Sequence, residues 1–207
     1  MGNIKAIIFD MDGVLLDAKE WHYNALKKAL SVFGFEMNRY DHVMKFDGLP
    51  TKEKLNLYSR EYHLPEELHA FINELKQSYT IDEIYTHAKP NFLHEFALSS
   101  LKNDGFKIAL ASNSISNTVS LAMKKVHLID YFDVIMSNSD VKKSKPDPQI
   151  YNLTIQKLNL NPENCLILED NENGIKAAIS SKAHLMKIDT VNDVNYENIM
   201  SHIERLK

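Results

Sequence analysis

Cysteine is nearly absent from this chain: Cys165 is the single one among 207 residues. One thiol excludes an intramolecular disulfide, and its place in an apolar segment predicts a small buried residue in a reducing compartment. Long apolar runs are lacking too. None approaches the ~20 residues that a membrane-spanning helix needs, and the first residues do not follow the pattern of a signal peptide. The Met1-Gly2 start invites N-myristoylation, but Ala6 stands where that signal has Ser or Thr. Neither sign of charge dominates: 24 Lys and Arg stand against 28 Asp and Glu, a net charge of −4. The signs are interspersed and the aromatics scattered, so no stripe is there to read nucleic acid. Repeats and low-complexity tracts are missing as well. These absences predict a soluble, cytoplasmic protein with no nucleic-acid or membrane partner, and a monomer, since no interface stripe stands out. What remains is an apolar content of 44%, enough for one sizeable domain or one domain with an insertion.

The apolar residues fall into a strand and helix alternation. Strand candidates are Ile4–Phe9, Lys107–Ala111, Val134–Met136, Cys165–Leu168 and Leu185–Ile188, short runs of the kind buried on both faces. Helix candidates between and after them are Asn91–Asn103, Ser114–Val126, Pro148–Leu158, Gly174–Ser181 and Val194–Arg205. Asn103-Asp104-Gly105 reads as a helix stop, and Asp147-Pro148 as a start with Asp as cap. The alternation predicts an α/β fold, a parallel sheet covered by helices. One stretch breaks it. From Ala18 to about His87 no strand is evident, while Leu26, Ala29, Leu30 and Phe33 recur at helical spacing, as do Leu55, Tyr58 and Tyr62, then Leu68, Phe71, Ile72 and Leu75. This predicts about four helices forming an inserted cap domain over 17–87, between core segments 1–16 and 88–207. Lys89-Pro90-Asn91 would mark the return to the sheet. The two crossings, near Asp17 and His87, would form a hinge.

In an open parallel sheet, ligands bind outside the carboxyl ends of the strands. After the first strand come Asp10 and Asp12, spaced so that an extended backbone points both the same way, then Gly13. Two like charges side by side call for an offsetting group, and a divalent cation with a phosphate ester is the usual one. After the second come Ser112, Asn113 and Ser114, groups suited to phosphate oxygens. After the third comes Lys145, before Pro146-Asp147-Pro148, able to neutralise a phosphoryl group. After the fourth come Glu169 and Asp170, then Asn171 and Gly174. Each has a plain structural alternative: Asp-x-Asp-Gly can end a strand in a turn, Ser112 can cap a helix, Lys145 can be solvated, and Glu169-Asp170 can be a polar turn. An EF-hand loop is excluded, because its twelfth position from Asp10 is Trp21 and strand-like residues precede it. The weight lies in the conjunction of all four on one predicted edge.

These segments resemble the four motifs of the haloacid dehalogenase superfamily of phosphohydrolases, and most closely its β-phosphoglucomutase-like subfamily. Asp10-Met11-Asp12-Gly13-Val14, Leu110-Ala111-Ser112-Asn113-Ser114, Lys145-Pro146-Asp147-Pro148 and the stretch from Leu168 to Ala178 carry the resemblance. It spans nearly the whole chain, and implies a Rossmann-like core with a helical cap. It implies Asp10 as nucleophile, forming an aspartyl phosphate, and Asp12 as general acid and then base. It implies Mg²⁺ on the Asp10 carboxylate, the Asp12 backbone carbonyl and Asp170, with Glu169 ligating directly or through water. Ser112 and Asn113 would hold phosphoryl oxygens, and Lys145 would balance charge on nucleophile and phosphate. His22, in a segment similar to the subfamily's first cap helix, would reach the site on cap closure, and Gly48 would mark a cap loop touching substrate.

Asp12 speaks against a dehalogenase, which does not need the second acid. Asn171 stands where the subfamily often has Ser, and Ser180-Ser181-Lys182 replaces a small-Gly ending. Where β-phosphoglucomutase holds the sugar's distal phosphate with a cap arginine and a core lysine, the aligned residues here are Thr51 and Ile115. Lys52 or Lys54 would substitute only under a shifted cap alignment. The expectation is therefore a Mg²⁺-dependent phosphatase of small organic phosphate monoesters, acting on a small phosphorylated metabolite. A phosphosugar mutase and a non-catalytic binding protein are the alternatives, and a phosphonate hydrolase would need a cap lysine that nothing singles out.

Overall fold

A computed structural model of the chain describes residues 4–42 and 49–206. It divides into two compact units, one of 1–17 with 88–207 and one of Ala18–His87. The strands, all in the first unit, are β1 (Ala6–Phe9), β2 (Lys107–Ala111), β3 (Val134–Met136), β4 (Cys165–Glu169) and β5 (His184–Lys187). The helices in chain order are α1 (Lys19–Ser31), α2 (Arg39–Asp41), α3 (Thr51–Tyr62) and α4 (His69–His87) in the second unit. In the first they are α5 (Phe92–Asn103), α6 (Ser116–Lys125), α7 (Gln149–Lys157), α8 (Glu172–Ser180) and α9 (Tyr196–Arg205).

The five strands form one parallel sheet in the order β3-β2-β1-β4-β5. The central strands β1 and β4 are buried along their whole length, which is why both read as unbroken apolar runs rather than alternations. Small side chains on one face, Ala6, Ala109 and Ala111, share a core cluster with Ile150, Tyr151 and Ile155 of α7 and with Ala177 and Ala178 of α8. The expected strand positions hold, with adjustments of one or two residues: β1 begins at Ala6 rather than Ile4 and β5 spans His184–Lys187. Strand β4 runs one residue further and ends in an acid, Glu169, still in register with Lys187. Asn91 caps α5, its Oδ1 accepting from the Leu93 N–H at 3.0 Å, so the Lys89-Pro90-Asn91 segment does open a helix.

The second unit has its own core of Tyr23, Leu26, Leu30, Leu55, Tyr58 and Ile72. Among its described residues are three helices of at least three turns and the three-residue α2. The inward stripe of α4 runs through Ile72, Leu75 and Tyr79. Phe71, placed on that stripe by spacing, faces outward instead, 51% exposed, and meets Phe33 edge-on at 5.8 Å. A neighbour of a buried Ile72 on a helix points about 100° away, which here carries Phe71 off the centre of the inward stripe. Gly48 and Gly2 lie outside the described residues.

In the first unit, His94 of α5 is buried and donates from Nε2 to the Val191 carbonyl at 2.8 Å. Burial lowers its pKa from the ordinary histidine value, against hydrogen bonds to the Val191 and Leu15 carbonyls that raise it. The unfolded chain therefore binds more protons at His94 than the native one, and stability falls as pH drops through about 6.5 toward the lower native value. The unfolding midpoint, followed by circular dichroism, is expected to fall between pH 7.5 and 5. His94→Gln, which does not titrate, is expected to lose less over the same range; an equal loss would remove His94 as the cause.

Candidate active site

The site in the first unit follows from the sheet register. Phe9 pairs with Leu110 on one side and Leu168 on the other. One residue onward, Asp10, Ala111 and Glu169 therefore stand at one level on the carboxyl edge. Lys145, from the loop after β3, reaches all three. Its Nζ donates to Asp10 Oδ1 at 2.6 Å, Glu169 Oε1 at 2.6 Å and the Ala111 carbonyl at 2.8 Å. An ammonium has three N–H groups, and each has an acceptor. The lysine is only 3% exposed, so the solvated-surface reading does not describe it.

The loop that delivers this lysine is braced. The Lys145 backbone N–H donates to Asn113 Oδ1 at 3.1 Å, and Ser144 Oγ donates to Asn138 Oδ1 at 2.8 Å. Gln149 Oε1 accepts from both the Lys142 and Lys143 N–H groups at 2.9 Å. Asp147 Oδ1 accepts from the Gln149 N–H at 3.0 Å, a bond in the turn before α7, whose cap position is Pro148 rather than the expected Asp147.

On the other side of Asp10, the chain leaves the strand at Phe9 and bends back, with Leu15 and Leu16 N–H groups both donating to the Met11 carbonyl at 2.9 Å. Asp10 still continues the ladder, its N–H donating to the Leu168 carbonyl at 3.1 Å, the chain bends at Met11, and Asp12 makes an isolated parallel bridge with Leu16. Asp12, half-buried, accepts from Ser114 Oγ at 2.9 Å through Oδ2. Ser112 Oγ accepts from the Ser114 N–H at 3.0 Å. Helix α6 begins only at Ser116 and has no side-chain cap, so Ser112 is not its cap and sits buried beside the cluster's strands. Asn171 does cap α8, accepting from the Asn173 N–H at 2.9 Å, which accounts for its tolerance at a position where Ser is also suited.

Two glycines admit the acids. A Cβ on Gly13, whose φ is +92°, would lie 2.1 Å from Asp170 Oδ2, and one on Gly174 would lie 1.9 Å from Glu169 Oε1. Asp10, Glu169 and Asp170 each offer an oxygen within 4.8 Å of the others; the Asp12 side chain is not in that group. Three carboxylates against one ammonium leave two negative charges when all are ionised. Burial, with the Glu169 and Asp12 charges nearby, pushes the Asp10 carboxyl well above the usual carboxylate range, with Lys145 pulling it back. Burial also opposes the Lys145 charge, but Asp10 and Glu169 outweigh it and raise the lysine's pKa. Glu169 Oε2 is buried with no hydrogen-bond partner among the described residues. An all-oxygen cluster with two excess negative charges and an orphaned carboxylate oxygen fits a hard divalent cation such as Mg²⁺.

Sequence reasoning missed Tyr151. It is fully buried, its hydroxyl donates to Glu169 Oε1 at 2.5 Å, and the Lys145 Nζ lies 4.7 Å from its ring centroid. The available signal was its place in the first turn of α7, six residues after Lys145. His22 belongs to the second unit, where its Nδ1 lies 3.3 Å from Lys76 Nζ. Thr51 is the first residue of α3, and Ile115 immediately precedes α6.

Residues 7–188 match the family model for haloacid dehalogenase-like hydrolases. A phosphorylated carbohydrates phosphatase of Thermotoga maritima is 30% identical over 181 residues, covering 86% of this chain and 82% of that protein. A β-phosphoglucomutase of Bacillus subtilis is 28% identical over 205 residues, covering 86% of this chain and 80% of that protein. Among solved structures, a β-phosphoglucomutase from Clostridium difficile superposes with a TM-score of 0.81 at 27% identity, covering 98% of both chains.

The close approach at Gly174 has a direct consequence. Gly174→Ala drives a methyl into the buried Glu169 carboxylate and is expected to destabilise the fold by about 1–3 kcal/mol. Denaturant unfolding checks this, and an unchanged midpoint would mean that Glu169 can retreat freely.

Proposed function

The chain belongs to the haloacid dehalogenase-like hydrolase family, and we propose that within it the protein is a Mg²⁺-dependent phosphatase of small organic phosphate monoesters. The observation that carries this reading is the buried Lys145 ammonium joining Asp10 to Glu169, at 2.6 Å each, beside Asp170. Similarity to a phosphatase of phosphorylated carbohydrates supports the substrate class. The reading takes the protein as a monomer acting in the cytoplasm. There the buried Cys165 thiol, pushed up to about 11 by burial and by Glu163, would stay protonated and inert.

In this mechanism the Asp10 carboxylate, held through Oδ1 by Lys145, attacks phosphorus and the bond to the ester oxygen breaks. Asp12 gives its proton to the leaving alcohol. Asp12, now a carboxylate, takes a proton from water, whose oxygen attacks the aspartyl phosphate; the bond to Asp10 breaks and inorganic phosphate leaves. Ser114, bonded to Asp12, orients that acid. Asp10, Glu169 and Asp170 would hold the metal, together with the Asp12 backbone carbonyl. Bound Mg²⁺ would neutralise negative charge so that an anionic nucleophile can approach an anionic phosphoryl group. Ser112 and Asn113 would hold phosphoryl oxygens. The helical unit would act as a cap that excludes water and reads the leaving group, with His22 as its contribution to substrate.

Likeness to two β-phosphoglucomutases favours a second reading. A phosphosugar mutase would share the first half-reaction and pass the phosphoryl group to another sugar hydroxyl instead of water. Thr51 and Ile115 offer no cation for a distal phosphate, which weighs for the hydrolase.

Phosphate release from a panel of sugar phosphates and small phosphate esters, with Mg²⁺, is the test. Wild type is expected to release phosphate from one or a few of them, and removal of Mg²⁺ by chelation to stop it. Asp10→Asn is expected to lose at least about 10⁴-fold. Equal activity in Asp10→Asn would sink the mechanism. Interconversion of sugar phosphates without release would select the mutase.

A further inference from the structure

We propose that Tyr151 is a positioning residue for the metal pocket: it pins one oxygen of Glu169 beside Lys145 and so leaves Oε2 as the oxygen open to the cation. The inference rests on the metal-dependent reading above and concerns a residue outside the four motifs. Glu169 Oε1 receives two donors, the Tyr151 hydroxyl at 2.5 Å and the Lys145 ammonium at 2.6 Å. Glu169 Oε2 receives none among the described residues. The carboxylate is therefore held asymmetrically, one oxygen saturated and the other open, and Gly174 below it provides the space. Tyr151 is anchored for this task, fully buried among Ile150, Ile155, Ala109 and Ala111.

The chemistry of the residue suits the role. A phenol donates a strong hydrogen bond without adding positive charge. A second cation at this place would cancel one of the two excess negative charges and weaken the pull on a divalent ion. The ring adds a further constraint. Its face lies under the Lys145 ammonium at 4.7 Å, a cation–π contact that keeps the lysine between Asp10 and Glu169. Without the hydroxyl, Glu169 would be held by Lys145 alone and free to turn, and both its oxygens would compete for the same ammonium. Groups that orient a ligating carboxylate typically change metal affinity by 10–100-fold when removed.

Mg²⁺ binding, measured by calorimetric titration without substrate, tests this directly. Tyr151→Phe keeps the ring and removes the donor. Its Mg²⁺ dissociation constant is expected to rise about tenfold, as is the Mg²⁺ concentration for half-maximal hydrolysis, with KM for the phosphate ester unchanged at saturating Mg²⁺. Tyr151→Leu, which also removes the ring, is expected to lose more. A lowered unfolding midpoint with Mg²⁺ affinity within twofold of wild type would overturn the inference and leave Tyr151 as core packing. Should Tyr151→Phe fail to fold, Tyr151→Met, which fills similar volume without a donor, is read on the same titration. Wild type that binds no Mg²⁺ would overturn both this inference and the metal-dependent reading. Wild type that binds Mg²⁺ but hydrolyses no ester would remove only the phosphatase assignment.

Discussion

Everything at the carboxyl edge of the sheet depends on one buried ammonium. Taking a lysine charge out of water is expensive unless every N–H is satisfied and opposite charge is close. Lys145 meets both conditions, with Asp10, Glu169 and the Ala111 carbonyl each accepting one bond. Three acceptors from three strands can converge only if β1, β2 and β4 are parallel and in phase, which their register provides. A one-residue slip of β4 that brought Leu168 to that level would leave the ammonium a partner short, and a slip the other way would put the shorter Asp170 there. The polar site and the apolar sheet therefore specify each other: burial of the strands fixes their register, and register fixes where the carboxylates stand.

The strands were legible because fully buried parallel strands are written as short apolar runs, and Ile7-Ile8-Phe9 ending at Asp10 is the clearest of them. The positions of Asp10, Lys145, Glu169 and Asp170 on one edge followed from topology, since all parallel strands end on the same side. Tyr151 was not legible for the same physical reason that it is effective. Its ring sits in the core with Ile150 and Ile155 on a helical stripe, and a pattern of apolar spacing cannot distinguish an aromatic that only packs from one that also turns its hydroxyl to an acid. Gln149 was hidden differently: a polar residue in the first turn of a helix reads as solvated, while here it collects two backbone donors from the loop before it. Ser112 shows the limit of local rules, because a hydroxyl just before a helix looks like a cap until the helix begins two residues later than expected.

The helical unit was legible in kind but not in detail. Its core residues Leu26, Leu30, Leu55, Tyr58 and Ile72 keep the helical spacing that announced them. Phe71 breaks the pattern by facing outward, 51% exposed, beside the buried Ile72. The unit also carries its polar groups in pairs within itself, such as His22 with Lys76. Any reading of a leaving group by it would rest on side chains that no spacing rule assigns, whereas the proposed catalytic residues answer to a fixed sheet edge.

The saturation of Lys145 shapes how an anionic phosphoryl group would be accommodated. With all three of its N–H groups on Asp10, Glu169 and Ala111, the lysine offers charge but no spare donor; a direct bond to phosphate would cost it one of these. Its part in the proposed reaction is then to offset the negative charge that Asp10 and Glu169 carry at close quarters, an electrostatic task that a fixed, dry site performs well. In the proposed reaction, direct contact with phosphoryl oxygens would fall to neutral donors, the Ser112 hydroxyl and the groups around Asn113, whose Oδ1 is engaged by the Lys145 backbone. Division of labour between a buried cation that sets charge and neutral donors that set position follows from the donor count of a single side chain.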